Sequence, residues 1–154
     1  MKIAIVLLLL TLASCMHRSD RHPQRGYGAE GGANFTSNGE RIYFTGTSSS
    51  GSAISSSAGE QSAGRHMRGR GCAGCHGADR SGRQLWPRFW IGAPSLTPAA
   101  LTDDRESPYD ADALRLVIST GVAPAGKILD SEMPRWTMSA SDLDDLVDYL
   151  LNPG

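Results

Sequence analysis

Three stretches of this chain carry a legible pattern of apolar and polar positions, and each is of a different kind. The first, Ile3 to Leu12, is ten residues of almost unbroken aliphatic sequence behind the basic start Met1-Lys2. As a helix it would span about 15 Å, half a bilayer core, so a retained transmembrane span does not fit and an export signal over residues 1–14 does. The second stretch is residues 108–120, where Leu114, Val117 and Ile118 share one face at helical spacing. Ser107 can cap this helix, Pro108 suits its first turn and Gly121 suits its stop. The third, residues 139–151, places Leu143, Leu146, Val147 and Leu150 in a helical stripe. Ser139 to Asp142 resembles a capping box, and Asp142, Asp144, Asp145 and Asp148 supply the expected wet face.

The segments between are less regular. Residues 15–37 are polar and without period, which predicts a flexible tether with a reach of about 26 Å. Residues 38–55 leave two readings open. Ile42-Tyr43-Phe44-Thr45 is β-prone and Ile54 lies beyond a Gly/Ser turn, which admits a small β-hairpin at the start of the domain; alternatively, the linker continues through Ser57. A short helix over Arg65 to Gly74 is weak by propensity, because Gly64, Gly69, Gly71 and Gly74 each cost up to about 1 kcal/mol against alanine. Residues 79–98 hold Pro87, Pro94 and Pro98 and read as a long loop, with a helical turn expected near Pro98 to Leu101. Long loops of this sort are uncommon unless they wrap something.

Length and charge narrow the picture. The 154 residues suffice for one domain, placed at 38–152. Loss of Lys2 with the signal leaves fourteen basic against sixteen acidic residues, a net charge of −2, too mild for a nucleic-acid binder. The cysteine count is more informative: Cys15, Cys72 and Cys75. Leu12-Ala13-Ser14-Cys15 resembles the lipobox of bacterial lipoproteins, which implies cleavage before Cys15 and acylation of it. At about 0.8 kcal/mol per buried methylene, two or more chains anchor stably. That leaves Cys72 and Cys75 and no long-range disulfide, so some other staple must hold the fold.

The pair lies in Cys72-Ala73-Gly74-Cys75-His76. Two thiols three residues apart can both reach the vinyl edge of a haem, and the adjacent imidazole can sit under its iron. Ala73 and Gly74 let the backbone approach the macrocycle. One motif means one covalent haem c, which also supplies the missing staple. A redox dithiol would want a βαβ context, which is absent; a zinc site would need Cys72, Cys75, His76 and His66 in awkward local geometry. A downstream methionine suits the second axial position, since thioether sulfur is a soft ligand that raises the reduction potential. Met133 follows a Gly/Pro-bearing loop and precedes Pro134, which would stiffen the turn; Met138, next to the Ser139 cap, is the fallback. Met67 reads as a core contact.

These residues resemble class I cytochromes c. The matching pieces are a helix before the Cys72–His76 motif, a wrapping loop, the 108–120 helix, Met133-Pro134-Arg135-Trp136 and the terminal helix. The resemblance covers about residues 57–152. It reaches back to about 38 if Gly39-Glu-Arg-Ile-Tyr-Phe44 and the Gly51 to Ile54 stretch are counted, as in bacterial single-haem lipoprotein cytochromes with an extra upstream piece. It implies a mainly α fold wrapped around one haem, whose first and last helices cross beside it. It also implies that His76 donates its other ring nitrogen to a proline carbonyl, for which Pro87 and Pro94 both qualify.

One departure is the charge pattern. The best-known members carry lysines around the haem edge, whereas only Lys127 would remain here after processing. Arginines replace them: Arg65, Arg68, Arg70, Arg80, Arg83 and Arg88 face a single Asp79 across residues 64–90. Arg83 and Arg88 are the favoured partners of the haem propionates, and the others could steer an acidic docking face. Trp86, Trp90, Trp136 and Tyr43 read as core or haem-packing residues. With both axial positions filled and no separate acid, base or nucleophile, the expected role is electron carriage rather than catalysis, outside the cytoplasm and tethered to a membrane. His17 and His22 in the tether have no expected role. Three rivals remain: a gas or redox sensor with a displaceable sixth ligand, a cytochrome subunit dedicated to one membrane enzyme, and a zinc-stabilised structural lipoprotein.

Overall fold

Ser37, not a strand, opens the domain's first element. A computed structural model describes residues 34–57, 71–85, 87, 90–103 and 108–153. Helix α1 spans Asn38–Thr45, with the Ser37 hydroxyl accepting from Glu40 N. Glu40 reaches back to accept from Thr36 N and from the Thr36 hydroxyl. Gly46, in the left-handed region at φ 67°, closes the helix. The hairpin admitted by the sequence is therefore not formed: caps at both ends and burial of Ile42, Tyr43 and Phe44 override the β-propensity of that run. The expected tether also ends earlier than Ser37, because Phe35 stacks on Phe44 at 6.3 Å.

The remaining elements follow in order. Strand β1 (Ser55–Ser56) precedes helix α2 (Ala73–His76), then come β2 (Arg83–Gln84), β3 (Gly92–Ala93), α3 (Pro98–Thr102) and α4 (Ala111–Thr120). A 3-10 turn at Pro124–Gly126, strand β4 (Trp136–Thr137) and helix α5 (Ala140–Leu151) complete the chain. The two short sheets are antiparallel: β1 with β4, Ser55 opposite Thr137, and β2 with β3, Arg83 opposite Ala93. Among the described residues no helix is long and apolar enough to cross a membrane.

The core is built where α1 crosses α5 and α4 packs beside them. Ile42, Tyr43 and Phe44 from α1 meet Leu114, Val117 and Ile118 from α4 and Leu146, Val147 and Leu150 from α5, with Leu101 of α3. Gly39 makes the crossing close: a Cβ there would run into the Asp145 carbonyl and come within 2.8 Å of Tyr149 Cβ. Among the described residues the helix that crosses the last one is α1, upstream of the one expected before Cys72. The expected helix over Arg65 to Gly74 falls largely outside the described residues; Gly71 and Cys72 form a turn leading into α2.

One helix end and one acidic side chain differ from expectation. Helix α4 starts at Ala111 rather than Pro108 because the Asp110 carboxylate caps it, accepting from Ala113 N at 2.8 Å, while Tyr109 N is held by Leu101 O. Helix α5 starts as expected from the Ser139 cap, but Asp142 is not on the wet face. It is 2% exposed and accepts from Ser48 Oγ at 2.6 Å, Asn38 Nδ2 at 2.9 Å and Ser139 Oγ at 2.7 Å. A carboxylate this well supplied with donors can be buried, and it pins the loop after α1 onto α5.

Candidate functional site

The Cys72–His76 motif folds as one helical turn because its neighbours leave it little choice. Cys75 N and His76 N both donate to Cys72 O, and Gly77 N donates to Ala73 O. Gly71, just ahead, is pressed against the carbonyls of Ile42 and Tyr43, where a Cβ would not fit. Behind the motif, the Tyr43 hydroxyl donates to Gly77 O at 2.7 Å. Tyr43 is wholly buried, and burial pushes its phenol well above the usual range, so it stays a neutral donor. The α1 helix thus grips the motif on both sides.

The side chains of the turn fit a covalent porphyrin. Cys72 and Cys75 are not bonded to each other. Burial pushes the Cys72 thiol up to about 12 and raises that of Cys75, which Arg83 opposes and Glu132 reinforces. Burial thus favours the thiol form of both groups. His76 is buried, and its Nδ1 lies 2.8 Å from Pro94 O. That bond selects Pro94 over Pro87 and commits Nδ1 as the donor, leaving Nε2 for a metal. Burial lowers the His76 pKa against the opposing pull of the Pro94 carbonyl, which favours the neutral, ligating imidazole. The wrapping loop is organised to present that carbonyl: β2 and β3 pair, Leu96 N donates to Arg80 O, and Gly82 N donates to His76 O.

The other predicted residues are placed as follows. Met133 is half-buried and ends a turn in which its N–H donates to Asp130 O at 3.2 Å. The neighbouring Glu132 helps to raise the Cys75 thiol. Met138 packs against the hydrophobic core, as does Trp136. Arg83 donates to Gly74 O, inside the motif. Arg80 lies over the Tyr149 ring at 5.0 Å and donates to Tyr149 O, so it braces α5 rather than facing outward. Trp90 is 72% exposed and takes no part in the core. Cys15, His66, Met67, Trp86 and Arg88 lie outside the described residues, as do Arg65, Arg68 and Arg70. Among the described residues no group of three or more His, Cys, Asp or Glu side chains is arranged to hold a metal ion.

Sequence reasoning missed Arg135. Its guanidinium donates to the carbonyls of Thr120, Leu129, Asp130 and Met133. The signal was available: an arginine two residues beyond the candidate ligand, after a Gly/Pro loop whose carbonyls have no helix or sheet to satisfy them. The Ser37-x-x-Glu40 spacing likewise marks the start of α1, with Ser37 Oγ accepting from Glu40 N and Glu40 accepting from Thr36.

The family model for cytochrome c matches residues 60–153. No curated protein and no solved structure matches the chain.

Proposed function

The chain belongs to the cytochrome c family, carriers of single electrons on haem c, and we propose that this member is a monohaem lipoprotein ligated by His76 and Met133. When bound, the haem supplies a one-electron couple at its iron. The chain supplies everything that sets that couple. Cys72 and Cys75 would hold the porphyrin through two thioethers, and His76 would coordinate through Nε2 while Pro94 O fixes its ring. Met133 would close the sixth position; Met138 is engaged in the core. Arg83, already at the Gly74 carbonyl, and Arg88 are the candidates to neutralise the propionates. The observation that carries the reading is the buried, proline-oriented His76 beside two unpaired cysteines.

The cell-envelope assignment rests on the sequence. Export and acylation of Cys15 would place the domain outside the cytoplasm, on a membrane, within reach of redox partners with an acidic docking face. Replacing Cys15 with Ser should move the haem protein from the membrane to the soluble fraction.

Absorption spectroscopy with potentiometry tests the function. The expected result is a ferric sulfur-to-iron charge-transfer band, a reversible one-electron couple and no carbon monoxide binding to the ferrous form. Ready carbon monoxide binding would replace the carrier with a sensor. A co-purifying stoichiometric membrane enzyme would make the chain a dedicated subunit. A colourless, zinc-bearing product would overturn the proposal.

A further inference from the structure

We propose that Arg135 is a positioning residue that holds Met133 in its ligating attitude. The inference rests on Met133 being the sixth ligand. The loop from Gly121 to Arg135 contains a 3-10 turn and one isolated bridge, Val122 to Ile128, and its own backbone bonds run from Ala123 N to Lys127 O, Gly126 N to Ala123 O, Leu129 N to Gly121 O and Met133 N to Asp130 O. Arg135 adds to them. Its Nε donates to Thr120 O at 3.2 Å, at the end of α4. One terminal nitrogen, Nη2, donates to Leu129 O at 2.8 Å; the other, Nη1, donates to Asp130 O at 3.0 Å and to Met133 O. One planar fork therefore ties the start of the loop, its descending limb and the residue that carries the sulfur. Lysine, a point donor, cannot span those directions.

The fold makes room for this fork. Gly121 has φ +77°, and a Cβ there would fall on the guanidinium. The backbone of Arg135 is held as well: its N–H donates to Ser57 Oγ at 2.8 Å, and its carbonyl accepts from Ser57 N at 2.8 Å. The adjoining pairing of Ser55–Ser56 with Trp136–Thr137 continues that anchor. Residues 55–57 thus hold Arg135 and the residues just after it.

Competition by imidazole for the sixth position of the ferric holoprotein tests this. Imidazole binds only when Met133 has left, so its apparent Kd carries the cost of opening the loop. Arg135→Lys and Arg135→Ala should each lower that Kd by roughly tenfold or more, equivalent to about 1.4 kcal/mol of loop closure. Met133→Ala should lower it further and abolish the charge-transfer band. In the Met133→Ala background the Arg135 changes should then have no additional effect, because no ligand remains to be positioned. If Arg135→Ala does not fold, Arg135→Lys carries the test. Unchanged imidazole affinity in a folded Arg135 variant, while Met133→Ala behaves as stated, would overturn the role of Arg135 and leave the ligation intact. An Arg135 effect of equal size with and without Met133 would overturn it too. A charge-transfer band that survives Met133→Ala would instead remove Met133 itself.

Discussion

The attachment side and the methionine side of this domain are held by different physics. On the attachment side, the motif is a helical turn gripped by a helix crossing. Tyr43 bonds Gly77 O, Gly71 abuts the end of α1, and Pro94 O meets His76. Several independent contacts fix each group, and their energy comes from the buried faces of α1, α4 and α5. On the methionine side, an irregular loop with a handful of backbone bonds of its own is braced by one guanidinium and followed by a two-residue strand pair. With Met133 as the proposed sixth ligand, the contrast teaches that binding the cofactor and tuning it would be separable. Damage to the crossing should destabilise the whole domain, whereas damage to the loop should change ligation and potential at little cost in stability.

The contrast breaks most completely at the thiols. Cys72→Ser with Cys75→Ser should abolish covalent haem altogether, seen as loss of colour in the haem-stained denatured band. Gly39→Val comes next. It drives a branched side chain into the Asp145 carbonyl and Tyr149 Cβ, and overpacking of this kind costs about 3 kcal/mol. Urea unfolding should show that loss in the holoprotein, with the haem still covalent in whatever folds. Met133→Ala sharpens the comparison from the other side. The potential should fall by more than about 0.1 V, within the roughly 0.8 V that axial ligands command, while the unfolding midpoint moves less than in Gly39→Val.

The smallest effect concerns the polar latch on the crossing. Hydrogen bonds from Ser48 first, then Ser139 and Asn38, hold the Asp142 carboxyl below its usual value against the opposing effect of burial. A depressed folded-state value contributes stability above the unfolded value near ~4, and that contribution is lost as pH falls through the folded value. Asp142→Asn should therefore cost about 2 kcal/mol at neutral pH. The gap from the parent should narrow in urea titrations run below about pH 4. A gap constant across that range would detach Asp142 from the latch.

What the sequence made legible follows the same division. The α4 and α5 stripes, the Gly121 stop and the Ser139 cap were readable because periodicity and caps are local. So was the cysteine motif, whose chemistry needs that spacing. The α1 helix was obscured because Ile42-Tyr43-Phe44 is β-prone in isolation, and only burial against α5 decides the matter. Asp142 read as solvent-facing because nothing local shows that Ser48, 94 residues away in sequence, donates to it. Pro94 could not be separated from Pro87 without the path of the β2–β3 hairpin. The reach of Arg135 depends on a loop path that composition does not encode.

Denaturing mass spectrometry of the mature protein, made in cells with working cytochrome maturation, tests the central claim most directly. The polypeptide should carry the added mass of one iron porphyrin, retained through acid and organic solvent. A bare polypeptide mass, with any porphyrin washed free, would contradict the account.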